Sequence, residues 1–203
     1  MGIKERKERE RELIKEQILD AARELFFANG YEATSIRSIA EKIEYSPGTI
    51  YLYFKDKDSI FHELQREGFN LLNQQMQVLL AVSDPFERLK AMGRVYMQFA
   101  KEYTDYYDLM FVIRAPMKAL DEDEEWLEGN TSYHFLNHVV KDCQNNGYFN
   151  HSETETFSYY VWATMHGIIT LGKHGRNKVV CEASRNFIEE HAFQEFVKML
   201  EKR

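Results

Sequence analysis

The run Ser46-Pro47-Gly48-Thr49-Ile50-Tyr51-Leu52-Tyr53 brings two aliphatic hydroxyls, two phenols and a small Pro-Gly tip into eight residues. A tip of that size lets the backbone at a helix N-terminus approach phosphates and base edges, and the DNA major groove admits one α-helix. Tyr51 and Tyr53 follow about a turn later, where a phenolic hydroxyl can donate to a phosphate oxygen. Lys57 adds positive charge at the start of the next helix. Upstream, Thr34, Ser35 and Arg37 lie on the other arm of the same element, and the Arg37 guanidinium is long enough to reach guanine O6 and N7 together. The chemistry on offer is recognition of double-stranded DNA. The sequence displays no paired nucleophile and base, no metal constellation and no phosphate loop, so an enzyme is not expected and neither is a cofactor.

The elements that position these residues follow from apolar spacing. Ile14, Ile18, Ala22 and Leu25 recur at helical intervals up to Asn29-Gly30, a left-handed stop. Thr34 or Ser35 caps a second, short helix with Ile36, Ile39, Ala40 and Ile43 inward. Ser46 caps a third with Pro47 at its first position, where the missing N–H costs no hydrogen bond. Residues 34 to 57 thus read as a helix-turn-helix inside a three-helix unit. After Asp56, a longer helix carries Phe61, Leu64, Leu72, Met76 and Leu79 and links the two domains expected, residues 1–57 and 58–203.

The second domain reads as helices throughout. Asp84-Pro85 opens one that runs to about residue 103. A short one covers about 105 to 114, and a longer one runs from the acidic stretch Asp121 to Glu125 to Gly147. Ser152-x-x-Glu155 has the form of a capping box for a helix holding Val161, Met165 and Ile169, and a last helix spans about Ser184 to Leu200. No segment alternates like a strand, so the fold class is all-α.

Charge qualifies the DNA reading. The chain is acidic overall, at −7 with a pI near 5.6. Residues 1–60 hold 11 basic against 12 acidic side chains, so nearly all the excess acid lies beyond them. Long-range steering is weak, and affinity must come from a few placed contacts doubled by dimerisation. The charged first residues carry no apolar leader, no long apolar run is present, and Cys143 and Cys181 match neither a C-x-x-C site nor a disulfide scaffold. The expectation is a cytoplasmic protein with no membrane segment.

Thr34, Ile39, Ala40, Ser46, Gly48, Thr49, Ile50, Tyr51, Tyr53, Phe54 and Lys57, together with Phe26, Gly30 and Tyr31 upstream, resemble the DNA-binding signature of the tetracycline-repressor (TetR) family of bacterial transcription regulators. The resemblance is specific to residues 14 to 60. It implies an all-helical homodimer of about nine helices, with an N-terminal helix-turn-helix domain joined to a helical bundle that binds a small effector and dimerises. It also implies that Arg37, Thr49, Tyr51, Tyr53 and Lys57 occupy positions that contact bases or phosphates. The chain departs from the pattern at Ile43-Glu44, where the family has Ala-Gly. A glutamate forced to positive φ there costs about 1 kcal/mol relative to glycine.

A small hydrophobic or aromatic effector has a candidate lining in Tyr96, Phe99, Tyr103, Tyr107, Met110, Phe111, Trp126, Trp162, Met165 and His166; the same residues at helical spacing also suit an ordinary core. Trp162-x-x-x-His166-Gly167 is similar to a motif in one branch of the family. Three features read two ways. Lys4 to Glu12 suits a minor-groove arm or a solvated helix extension, His134 and His138 a metal pair or surface and core roles, and Asp121 to Glu125 a cation site or a solvated helix start. No metal is assigned. The functional expectation is a repressor released from a palindromic operator by its effector, the alternative being a structural or division-linked DNA-binding factor governed by a protein partner.

Overall fold

The structure is a computed structural model that describes residues 2–113 and 127–201. Ten α-helices are found among these residues, and no strand: α1 Ile3–Ala33, α2 Ile36–Lys42, α3 Pro47–Ile50, α4 Lys57–Gln77, α5 Pro85–Glu102, α6 Thr104–Phe111, α7 Leu127–Asn145, α8 Thr154–Lys173, α9 Glu182–Arg185 and α10 Ile188–Glu201. The all-α expectation is met. The acidic stretch Asp121 to Glu125 and Trp126 lie outside the described residues.

Helix ends follow side-chain chemistry. Asp56 and Ser59 cap α4 reciprocally: the Ser59 N–H donates to Asp56 Oδ1 at 2.8 Å and the Asp56 N–H to Ser59 Oγ at 3.2 Å. Asp84 Oδ1 accepts from the N–H groups of Phe86 and Glu87 at the start of α5. The box expected from Ser152 does not form. Glu153 caps α8 instead, its two carboxylate oxygens accepting from Glu155 N–H at 3.0 Å and Thr156 N–H at 2.7 Å, because a charged acceptor satisfies two orphan donors of the first turn. The last helix begins at Ile188 rather than Ser184, with the four-residue α9 before it.

α1 is longer than expected at both ends. The Lys4 to Glu12 run is an exposed helical extension. At the far end Gly30 sits at φ 79°, ψ 169°, a conformation reserved for glycine, and one further helical turn follows it.

Packing groups the described residues into two units, one of residues 2–70 with 103–113 and the other of 71–102 with 127–201. The break does not fall at residue 57, because α4 continues past it and α6 returns to the N-terminal unit. Leu109 of α6 is fully buried in the same core as Ile18, Ala22 and Phe26 of α1, Ile39 and Ala40 of α2, Ile50 of α3 and Ile60, Phe61 and Leu64 of α4. Gln65 Nε2 also donates to the Leu109 carbonyl at 3.0 Å. Phe26, Tyr31 and Phe61 form an aromatic triangle with ring centroids 5.3–5.7 Å apart.

In the second unit, α5, α7 and α8 bury Leu89, Met92, Tyr96, Phe99, Val139, Val140, Cys143, Val161 and Met165, and α10 adds Phe193, Phe196 and Leu200. Gly93 lets α10 pack closely there, since a Cβ would stand 2.6 Å from Phe193 Cε2 and force the ring to shift. Arg88 ties α5 to α7 through Asp142 at 2.9 Å. No helix among the described residues is long and apolar enough to cross a membrane.

Candidate nucleic-acid interface

The two short helices α2 and α3 hold the predicted tip by their caps. Ser35 Oγ accepts from Ser38 N–H at 3.0 Å and starts α2; Ser46 Oγ accepts from Thr49 N–H at 3.2 Å and starts α3, with Pro47 in its first turn. Inward, Ile50 and Phe54 seal the core. Outward, Ser46, Pro47, Gly48 and Tyr51 are exposed, Tyr51 by 57%, with Thr49 and Tyr53 partly so. Polar and small side chains thus face outward at the tip, over the buried Ile50 and Phe54.

The turn between α2 and α3 is a Schellman motif. The Tyr45 N–H reaches back to the Ala40 carbonyl at 3.0 Å and the Glu44 N–H to Glu41 at 3.3 Å. Glu44 stands at φ 59°, the left-handed conformation that favours glycine.

Arg37 projects from α2 with its side chain 81% exposed and paired to Glu41 at 2.8 Å, an i,i+4 pair that solvent leaves weak and exchangeable. Thr34 is different. It is 2% exposed, and its hydroxyl lies 3.1 Å from the Leu25 carbonyl and 2.9 Å from that of Gly30, so it fastens the α1 exit and does not face outward. Lys57 is likewise engaged from within. Its Nζ donates to the carbonyls of Tyr31 at 2.8 Å and Thr34 at 2.9 Å and lies 4.0 Å from the Tyr31 ring centroid. The Tyr31 hydroxyl bonds Asp58, and burial together with that carboxylate pushes the phenol well above its ordinary range. Sequence reasoning passed over Leu52, an exposed apolar side chain at the tip, whose signal is its place three residues after Thr49.

The residues proposed for an effector divide between the units. Tyr96, Phe99, Trp162, Met165 and His166 belong to one. There Trp162 Nε1 donates to Tyr96 Oη at 3.3 Å, with the rings of Tyr133, Tyr159 and His166 centred 6.0–6.5 Å from the indole. Tyr133 on α7 was not expected, and nothing in its local spacing marks it. Tyr103, Tyr107, Met110 and Phe111 belong to the other unit, where Tyr107 is fully buried and Phe111 stands 5.1 Å from it and 5.6 Å from Phe69. His134 and His138 are exposed; His138 lies 3.6 Å from Asp142, and no cluster of three metal-ligating side chains is found among the described residues.

Two family models match the chain: bacterial regulatory proteins of the tetR family over residues 18–64, and the tetracyclin repressor-like C-terminal domain over residues 89–191. The fatty acid metabolism regulator protein of Bacillus subtilis is 32% identical over 88 residues, which is 43% of this chain and 43% of that protein, so the match spans less than half of the relative's length. The fold is that of the fatty acid degradation regulator FadR from Bacillus halodurans (TM-score 0.71, 18% identity, 93% of this chain and 96% of that one). The structure of FadR from Bacillus subtilis in complex with stearoyl-CoA has a TM-score of 0.68, at 19% identity over 88% of this chain and 97% of that one. The helix-turn-helix at residues 34 to 57 and the helical second unit are thus parts of one recognised whole, and the chain belongs to the TetR family of bacterial regulatory proteins.

Proposed function

We propose that this chain is a cytoplasmic one-component transcription repressor, not an enzyme. It acts as a homodimer whose helix-turn-helix unit reads a palindromic operator and whose helical second unit binds a small hydrophobic effector that releases it. The observation that carries this reading is the α3 tip. Ser46, Pro47, Gly48 and Tyr51 stand exposed on a base of buried Ile50 and Phe54, within a stretch that matches the family's DNA-binding model. On DNA, Ser46, Thr49, Tyr51 and Tyr53 hold phosphates while the α3 N-terminus sits in the major groove. Ser35 supports the start of α2, and Arg37 exchanges Glu41 for a base edge. Thr34 and Lys57 keep the head in shape.

Two heads must reach major grooves about 34–36 Å or a multiple apart, so a modest rearrangement on effector binding is enough to break simultaneous contact. Fatty acid regulators among the relatives and structural neighbours make a long-chain acyl thioester the first effector to try, with the Trp162, Tyr96 and Tyr133 cluster as its aromatic contact. The test is a gel shift of purified protein on DNA flanking its own gene, with and without stearoyl-CoA. A shift that weakens steeply with salt and is abolished by the thioester supports the reading. No shift on any flanking DNA, or one indifferent to salt, refutes it.

A further inference from the structure

We propose that Leu52 is the side chain by which each head reads a thymine methyl group; the inference rests on the DNA-binding reading above. The backbone around it is wound tightly. The Thr49 N–H donates to the Ser46 carbonyl at 2.9 Å, Leu52 to Thr49 at 3.1 Å and Tyr53 to Ile50 at 2.9 Å. The Ser46 and Thr49 hydroxyls lie 3.1 Å apart, and Leu52 follows Thr49 at i,i+3 spacing, the separation at which side chains share a helix face. Ile50 and Phe54 are turned into the core and Tyr53 packs against it, whereas Leu52 is 75% exposed.

Scattered exposed leucines are ordinary. What distinguishes this one is its place at the tip, following the exposed Gly48 and the partly exposed Thr49, and its exposure, greater than that of the neighbouring Tyr51. A leucine cannot pair with phosphate or with any base donor or acceptor. The major groove offers one apolar base feature, the C5 methyl of thymine. Desolvating Leu52 against that methyl is the favourable contact open to it on DNA, and it gives the head a preference that Ser46, Thr49 and Tyr51 cannot supply through phosphates.

The experiment begins with selection of a binding site from random duplex by the purified full chain. Each thymine of the selected half-site is then replaced by deoxyuridine in both halves together, which removes the methyl and leaves base pairing unchanged. Wild type loses about fourfold in affinity per half-site at one position, the equivalent of about 0.8 kcal/mol for one methylene-sized group, and roughly 15-fold with both replaced. Leu52→Ala binds the thymine and deoxyuridine sites alike, with an unchanged circular dichroism spectrum; Leu52→Met keeps most of the preference. If wild type distinguishes thymine from deoxyuridine nowhere, or Leu52→Ala retains the full discrimination, Leu52 has no such role while the DNA-binding reading stands. If no sequence is enriched, both fall together.

Discussion

Tyr106 on α6 sits 2.8 Å from Nη1 of Arg23 on α1, its hydroxyl accepting from the guanidinium, with the Arg23 Cζ 5.2 Å from the centre of its ring. The same hydroxyl donates to Glu67 Oε2 on α4 at 2.8 Å, so one phenol joins three helices of the N-terminal unit. Arg23 also pairs with Asp20 at 2.6 Å. With Leu109 plugging the core beneath, this is why α6, distant in sequence, belongs with the DNA-binding helices.

Tyr106→Phe keeps the ring and removes both hydrogen bonds. The expected loss is about 1–2 kcal/mol, a fall in melting temperature of about 2–4 °C for each kcal/mol in a chain of this size. Burial first, and then the Glu67 carboxylate, push the phenol up to about 12 from its ordinary 10, with Arg23 opposing. The fold therefore favours the neutral form. This contribution is whole below pH 10 and is lost as pH climbs toward 12. Melting curves of wild type and Tyr106→Phe should converge over that window, and a constant difference would remove the phenol from the account.

Lys57 separates a structural from an electrostatic role. Lys57→Met removes two charge-assisted bonds to the Tyr31 and Thr34 carbonyls, and a loss of about 1.5–3 kcal/mol is expected in urea unfolding. A lysine that mainly clamps phosphate would instead lower the slope of log K against log salt by about 0.9 for each contact. We expect the stability loss, with the slope nearly unchanged.

Glu44 stands where a left-handed residue is needed, and glutamate pays the Cβ penalty. Glu44→Gly is expected to stabilise the protein by about 1 kcal/mol. It also removes a carboxylate beside the tip, so DNA affinity should rise, most clearly at low salt. A destabilised variant would mean that the turn is not set by the φ of this residue.

Much of the N-terminal unit was legible because its signals are local. Ser35, Ser46 and Asp56 declare helix starts, Pro47 tolerates only a first turn, and Ile39, Ala40 and Ile50 are spaced for one core. The positive φ of Glu44 follows from its place after α2. What stayed hidden depends on contacts distant in sequence. Thr34 and Lys57 are polar and look available, yet the fold turns both toward the α1 exit, and no spacing rule places Tyr106 beside Glu67 and Arg23, 39 and 83 residues upstream, or Leu109 beside Gln65. Glu153 displaced Ser152 as the α8 cap because neighbouring candidates compete, and the charged acceptor spans two N–H groups. The effector candidates carry only residue type, helical spacing and the short Trp162-x-x-x-His166-Gly167 motif, which a core and a cavity lining share. Nothing in their spacing foretold that Tyr96 and Trp162 would be hydrogen-bonded to each other or that Tyr133 would join them.

His166 gives the second unit a pH dependence of opposite sense. It is half-buried one turn after Trp162, their rings 6.5 Å apart, and burial lowers its pKa below the ordinary 6.5. The fold favours the neutral imidazole, so this contribution is present above pH 6.5 and lost as pH falls. Wild type should therefore lose melting temperature as pH falls below about 6.5, and His166→Gln should lose less. If an acyl thioester binds against Trp162, its quenching of tryptophan fluorescence should also weaken over the same window in wild type, because charging His166 brings an unfavourable cation to an apolar ligand. A quench independent of pH, alongside the predicted loss of stability, would place the effector away from this cluster while leaving the burial of His166 intact.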